Sequence, residues 1–229
     1  MLDIEKQNVA AWTAYGEHHR TRGTEVPEVE RLAWGYWPQV GPGEEVLGDL
    51  VGCRVVELGS GVGKFAAHLA RRGVRVDAVE ASSSQHQRAV ARYDRQMAGL
   101  RLIHADAVEH LGQTEPYDVV YSIHGIPYVA PHRLLPALIA ALRPDGRLVF
   151  SGLHTNSLGE GPSTTVAARP EILTLAGAAP VTVGMWVLTP ALWEALLVQH
   201  GFFVDRMDIL TAPNGDSPLS CTLVRAQRR

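Results

Sequence analysis

The chain has 229 residues, of which 46% are hydrophobic, with a formal net charge of −3 and a pI near 6.4. A chain of this length and hydrophobic fraction buries one sizeable core, so one domain is expected. The chain has no excess of positive charge that would attract nucleic acid or an anionic membrane, and neither is expected as a partner.

The two cysteines and the N-terminus favour a cytoplasmic protein. Cys53 and Cys221 form no C-x-x-C pair and no spacing typical of metal ligands, so we expect reduced thiols and no bound metal. Residues 1–6 include acids and lack the apolar core of a signal peptide. The longest apolar stretch, residues 134–142, is too short to span a bilayer.

Residues 1–44 precede the first predicted strand and are rich in aromatic side chains, namely Trp12, Tyr15, Trp34, Tyr36 and Trp37. Two interpretations stay open, because large amphipathic rings suit both a lid over a bound ligand and the packing of a helix against a sheet. The glycines and prolines between positions 35 and 43 predict a bend in this segment.

Residues 55–63 read VVELGSGVG, an apolar strand followed by Gly59, Gly61 and Gly63. A helix is predicted over residues 64–70, and its first N–H groups have no partner within the helix. Such groups attract anions, and glycines let a ligand approach the backbone. The segment therefore predicts a cofactor-binding loop.

The spacing of these glycines disfavours two cofactor classes. The dinucleotide fingerprint Gly-x-Gly-x-x-Gly would need glycine at Lys64. A phosphate loop would need glycine at Leu58 and Ser or Thr at Phe65. Neither pattern is complete.

The elements that follow alternate between strands and helices, which predicts a parallel sheet covered on both faces. A strand over residues 74–80 ends in Glu80, 21 residues beyond Gly59, near the offset at which a carboxylate meets ribose in nucleotide folds. Residues 83–98 carry Val90, Tyr93 and Met97 at helical spacing and predict a helix. Further strands are predicted over residues 100–107, 117–124 and 142–150.

Two histidines stand just past predicted strands, where chemistry is expected in an open α/β sheet. His124 follows the fourth strand and His154 the fifth. Each is a candidate general base that would remove the proton of a substrate hydroxyl group, since the ordinary pKa of histidine lies near 6.5. The alternative is that each is a surface or packing residue.

The last third of the chain begins with residues 153–188, rich in Gly, Pro, Ser and Thr, which predict a loop that caps the acceptor. Thr189 and Pro190 then predict the N-cap and first residue of a helix that stops at Gly201. Residues 202–210 and 219–226 predict an antiparallel hairpin.

Glu57-x-Gly59-x-Gly61-x-Gly63, Glu80 and the turn at residues 143–146 together resemble the class I methyltransferases that use S-adenosylmethionine (SAM). The resemblance covers about residues 45–226. It implies a doubly wound, Rossmann-like α/β fold with seven strands in the order 3-2-1-4-5-7-6, an antiparallel C-terminal hairpin and an N-terminal helical lid. Within one domain, it divides the chain into a lid (1–44), a SAM-binding core (45–152), a substrate cap (153–188) and a C-terminal helix and hairpin (189–229).

The resemblance also implies SAM as cofactor and a role for several residues. Glu80 would accept the ribose hydroxyls, Asp106 the adenine amino group, and the Ala107 N–H would bind a ring nitrogen. Glu57 would orient the loop or a lid residue. The full set of expected cofactor-binding residues is Tyr15, Glu57, Gly59, Ser60, Gly61, Gly63, Glu80, Ala81, Asp106, Ala107 and Ser122.

The expected reaction is methyl transfer from SAM to a small, aromatic or apolar metabolite, at oxygen or nitrogen rather than carbon. Residues 124–128 lack the Asn/Asp-Pro-Pro-aromatic motif of the enzymes that methylate exocyclic amines of bases or glutamine amides. Residues 122–124 lack the acidic metal ligands of the catechol-type members. Two alternatives stay open. One is a SAM-binding protein that does not methylate, or an enzyme that uses SAM as a structural or electrostatic element in another reaction. The other, more remote, is a nicotinamide-dependent oxidoreductase. The oligomeric state is also open, with a homodimer among the alternatives.

Overall fold

The computed structural model describes residues 1–93 and 97–229. In these two stretches it contains a seven-stranded sheet and a separate two-stranded sheet. The strands are β1 Arg54–Leu58, β2 Arg75–Glu80, β3 Leu100–His104, β4 Tyr117–Ile123, β5 Leu142–Thr155, β6 Arg169–Leu173, β7 Val181–Met185, β8 Phe202–Thr211 and β9 Ser220–Arg228. The helices are α1 Asp3–Thr21, α2 Lys64–Arg71, α3 Ser83–Arg92, α4 Ala107–Leu111, α5 Pro131–Ala141 and α6 Pro190–Gln199.

The large sheet has the order β3-β2-β1-β4-β5-β9-β8. Its first five strands are parallel, and β9 runs antiparallel between β5 and β8. Because β8 and β9 are the sixth and seventh strands of this sheet along the chain, the order 3-2-1-4-5-7-6 and the C-terminal hairpin are confirmed. Buried runs such as Val119–Tyr121 reflect the covering of both faces.

Two local predictions were only partly right. The helix predicted over residues 83–98 ends at Arg92, because Tyr93 has an extended backbone (φ −112°, ψ 96°). Residues 94–96 of that prediction lie outside the described residues, and Met97 is not helical. The turn at residues 143–146 forms an irregularity within β5, with Asp145 at φ 61°.

The segment 153–188 is not the loop that its composition predicts. Residues 169–173 pair antiparallel with residues 181–185, so that β6 and β7 form a hairpin of their own. At the other end, α6 begins as predicted, with the Thr189 hydroxyl accepting the N–H of Leu192.

The aromatic residues of the N-terminal segment fall into two groups, one buried in the core and one lining a cavity. Trp34 is fully buried, lies edge-on to Tyr121 with ring centroids 6.2 Å apart, and donates its indole N–H to the Gly43 carbonyl. Trp12, Tyr15 and Tyr36 line the main cavity instead. Among the described helices, none combines the length and apolar character needed to cross a bilayer.

Candidate cofactor and acceptor site

A cavity of about 840 Å³ opens at the carboxyl ends of β1 to β5. That is within the range of roughly 300–1,000 Å³ that ligand pockets occupy. Its walls have two sources. The sheet wall comes from the loops that follow the parallel strands. The lid-and-cap wall is named after the roles expected for segments 1–44 and 153–188, and it comes from α1, residues 24–36 and segment 153–188 with its β6–β7 hairpin.

The loop after β1 forms the middle of the sheet wall. Gly59 has φ 68°, and a Cβ there would stand 2.8 Å from the Cα of Gly125 in the neighbouring loop. Gly61 has φ 56°, and a Cβ there would meet nothing within 4 Å. The positive φ at both positions favours glycine over residues with a side chain. The open space above Gly61 lets a ligand approach the backbone. Ser60 and Gly61 both line the cavity.

Glu80 joins this loop to the end of β2. Its Oε2 accepts the Gly61 N–H and its Oε1 accepts the Ser82 N–H, each at 2.7 Å. Burial raises the pKa of this carboxyl group, while the backbone hydrogen bonds oppose the shift. Each oxygen keeps a further lone pair, and Glu80 and Ala81 both line the cavity. Glu80 is therefore placed to accept hydroxyl groups of a ligand.

Glu57 lies deeper, with 1% of its surface exposed. Its Oε2 accepts the Ala66 N–H of α2 at 3.0 Å and the Tyr121 hydroxyl at 3.1 Å. Burial raises its pKa to about 8 in spite of both donors. Next to it, Lys64 lines the cavity at the start of α2, and burial lowers the pKa of its amine. An ammonium group at a helix N-terminus favours binding of an anion. No motif in the sequence indicates this role for Lys64.

Asp106 and Ala107 line the cavity beyond β3. The Asp106 carboxylate caps α4, its Oδ1 accepting the N–H groups of Val108 and Glu109 at 3.0 Å each. Its Oδ2 accepts no hydrogen bond within the described residues, so it retains capacity for an amino group of a ligand.

Two of the expected cofactor-binding residues support the wall from behind. Gly63 caps α2 in the left-handed conformation. Ser122 is fully buried, donates its hydroxyl to the Leu58 carbonyl at 2.7 Å, and accepts the N–H groups of Gly125 and Ile126. Neither residue belongs to the cavity surface. Both hold the loops that do.

His124 lies where the two walls meet. Its backbone adopts φ 61°, and its ring stacks on Tyr36 with centroids 4.8 Å apart and planes 24° apart. Both ring nitrogens are buried and neither makes a hydrogen bond of regular geometry among the described residues, although the Gly35 backbone opposes the pKa shift of this ring. Burial lowers the pKa of His124 to about 4, so the imidazole is neutral at pH 7.

His154 does not reach the cavity surface. Because β5 extends to Thr155, position 154 lies within the strand that pairs with β9. Its Nδ1 is 3.0 Å from the Thr222 hydroxyl of β9, and burial lowers its pKa. Of the two histidines expected to act as a base, the structure brings only His124 to the site.

The lid-and-cap wall is aromatic. Trp12 and Tyr15 of α1 lie with ring centroids 5.0 Å apart, and Trp12 meets Tyr128 edge-on at 5.3 Å. Glu171 and Asn156 of the cap also line this part of the cavity, and no motif in the sequence indicated either.

Hydrogen bonds fix α1 in place above the cavity. The Asn8 side chain donates to the carbonyls of Tyr128 and Gly184 at 3.0 and 2.8 Å, and accepts the Gly184 N–H at 2.7 Å. Further along α1, the Thr13 carbonyl accepts the Ser84 hydroxyl at 2.7 Å. The lid is thereby joined to the cap hairpin, to the loop after β4 and to α3.

A sheet of this order, a glycine loop after β1 and an acid at the end of β2 define a class I methyltransferase fold with a nucleotide-type cofactor site. The residues present fit SAM, because Gly61 leaves open space, Lys64 supplies a cation and Glu80 supplies an acceptor beside it.

Comparisons with known proteins agree with this class. Residues 55–146 match a family described as a methyltransferase domain. The ubiquinone biosynthesis O-methyltransferase of Aeromonas salmonicida is 28% identical over 151 residues, covering 58% of this chain and 63% of that protein. The protein of the same name from Maricaulis maris is 28% identical over 108 residues, covering 46% of this chain and 42% of that protein. The matches thus span less than two thirds of the length of either relative.

The fold is also found in a crystal structure of the 1,6-didemethyltoxoflavin-N1-methyltransferase of Burkholderia thailandensis, with 1,6-didemethyltoxoflavin and S-adenosylhomocysteine bound. The TM-score is 0.61 at 17% identity, covering 100% of this chain and 91% of that chain. Residues 55–146 thus match a methyltransferase family, and the fold is one found in SAM-dependent methyltransferases.

Proposed function

We propose that this protein transfers the methyl group of SAM to a small, apolar or aromatic metabolite, at oxygen or nitrogen. The observation that carries the proposal is a single cavity with a glycine loop and Glu80 on one wall and aromatic side chains on the other. We assign residues 1–44 to a lid, 45–152 to the cofactor core, 153–188 to an acceptor cap and 189–229 to the remainder of one domain.

We expect residues of the sheet wall to bind the cofactor. The start of α2, with Lys64, would hold the methionine carboxylate. Glu80 would accept the ribose hydroxyls, while Asp106 and the Ala107 N–H would bind adenine. Bound SAM supplies a methyl group on a positively charged sulfur.

On the acceptor side, alignment in a water-poor cavity supplies most of the rate. His124 is a weak base, since burial lowers its pKa to about 4. Its neutral ring is suited to accept a hydrogen bond from the O–H or N–H of the acceptor and so to orient it. Support for oxygen or nitrogen as the methylated atom comes from the names of the relatives, which are an O-methyltransferase and an N1-methyltransferase.

The proposal is tested by incubating the protein with SAM carrying a labelled methyl group and a panel of pathway-derived aromatic acceptors. We expect label in an organic product together with S-adenosylhomocysteine, and no label with the Gly61→Val variant. Cofactor binding without transfer to any acceptor would instead favour a SAM-binding protein that does not methylate.

A further inference from the structure

The cap hairpin brings one carboxylate to the cavity. Glu171 lies on β6 with 12% of its side chain exposed. Among the residues of segment 153–188, all of them described, it is the one acid that lines the cavity. Its cavity neighbours from the cap include the apolar Leu173 and Met185. A carboxylate in such a wall needs a partner to offset its burial, and the guanidinium of Arg169 supplies one.

Two neighbours hold this carboxylate in a fixed position. The Arg169 Nε donates to Oε1 at 2.7 Å, and the Asn156 Nδ2 lies 3.2 Å from Oε2. Asn156 is itself rigid, because its Oδ1 accepts the N–H groups of Leu158 and Glu160 at 3.0 Å each. The long contact to Asn156 leaves Oε2 with capacity for a stronger donor.

Two phenol groups lie near Glu171. Tyr36 and Tyr128 line the same cavity as Glu171. Burial raises the pKa of both phenols, and the charge of Glu171 raises it further. The two hydroxyls therefore stay protonated and join the carboxylate as polar groups in an otherwise aromatic wall.

The lysine and arginine residues that line the cavity lie away from Glu171. The Arg169 guanidinium is used by Glu171 and by the carbonyls of Glu160 and Gly161. Lys64 and Arg88, which line the cavity, belong to α2 and α3 of the sheet side.

We propose that Glu171, with the hydroxyls of Tyr36 and Tyr128, anchors an ammonium or other N–H donor group of an aromatic acceptor. This inference rests on the proposed function and specifies its substrate class. The anchored group differs from the methylated atom, because a nearby carboxylate keeps an amine protonated and without a free electron pair. An acceptor that presents a carboxylate or phosphate at this position is disfavoured.

The test uses pairs of aromatic probes that share a ring and differ in charge, such as tryptamine against indole-3-propionate and tyramine against 3-(4-hydroxyphenyl)propionate. Binding to the protein saturated with S-adenosylhomocysteine is measured by calorimetry or by saturation-transfer NMR. We expect the amine of at least one pair to bind about tenfold or more tightly than its acid partner. Glu171→Gln should remove this preference, and Tyr36→Phe should weaken amine binding severalfold.

The matched control is Glu194→Gln, which removes the same charge from an exposed position on α6 and should keep the preference. Equal binding, a preference for the acids, no amine binding at millimolar concentration, or a preference that survives Glu171→Gln would each overturn the inference. All of these outcomes leave binding of S-adenosylhomocysteine intact. Loss of that binding in the unmodified protein would overturn the proposed function instead.

Discussion

The two walls of the cavity are built in different ways. The centre of the sheet wall is a backbone structure, in which the nine residues from Val55 to Gly63 include most of β1, the turns and the N-cap of α2. The lid-and-cap wall consists of side chains, and its members Trp12, Tyr36 and Glu171 come from distant parts of the chain. Under the proposed function, the centre of the cofactor site is therefore encoded locally, whereas the acceptor site depends on tertiary assembly. If so, a substitution in one wall should leave ligand binding at the other wall unchanged.

The largest effect is expected from Gly61→Val on the sheet wall. A β-branched side chain at φ 56° is strained by ~1–2 kcal/mol, and it would also enter the space that the cofactor needs. We expect the affinity for S-adenosylhomocysteine to fall by about a hundredfold or more, measured by calorimetric titration. The control is Gly215→Val, which introduces the same strain at φ 67° in a turn outside the cavity. Equal losses in both variants would show that strain alone is responsible.

The next effect should come from His124→Asn, at the junction of the two walls. Asparagine tolerates the positive φ of this position, so the loop is retained. Loss of one hydrogen bond to the acceptor should lower turnover by about 10- to 100-fold and leave cofactor affinity unchanged. Labelled methyl transfer measures the first quantity and calorimetry the second. A pH profile of the unmodified protein with a step near 6.5 that disappears in this variant would contradict a ring that is neutral above about pH 4.

On the lid, Asn8→Ala removes the three hydrogen bonds that join α1 to Tyr128 and Gly184. Buried backbone groups left without partners should lower the free energy of unfolding by about 1–3 kcal/mol, measured by urea denaturation. Gln7→Ala, one position earlier on the exposed face of α1, should leave stability nearly unchanged. The division between the walls would be wrong if Asn8→Ala abolished cofactor binding while the protein stayed folded.

The pH dependence of stability provides a further test of the sheet wall. The pKa of Glu57 is raised from 4.5 to about 8 by burial. Between these values the unfolded chain releases a proton that the folded protein keeps, so this group makes the free energy of unfolding fall as pH rises. Glu57→Gln should remove that fall, whereas Glu194→Gln should retain it. Denaturation curves at several pH values across the window would measure the slope, and an unchanged slope in Glu57→Gln would contradict the assignment.

Sequence reasoning succeeded where the determining contacts are local. Gly59 and Gly61 have the positive φ that the loop requires, and Thr189 caps the predicted helix. The C-terminal hairpin follows from two apolar runs around a turn. For the sheet order, the resemblance to a family supplied what periodicity could not.

The failures share a physical cause, which is that partners distant in sequence decided the outcome. The β6–β7 hairpin contains Pro170 and Gly184, which predict a loop, yet Asn8 of the lid bonds to Gly184 and supports the pairing. Pairing with β9 keeps β5 extended through His154. Glu171 belongs to no motif, so only its neighbours in space reveal it.

The most direct test of the account is a calorimetric titration of S-adenosylhomocysteine into the unmodified protein and into Glu80→Ala. Glu80 holds the N–H groups of Gly61 and Ser82 and lines the cavity beside them. We expect one molecule of S-adenosylhomocysteine to bind per chain, and its affinity to fall at least about tenfold in Glu80→Ala. An unmodified protein that does not bind the ligand, or a folded Glu80→Ala variant that binds it equally well, would contradict the account.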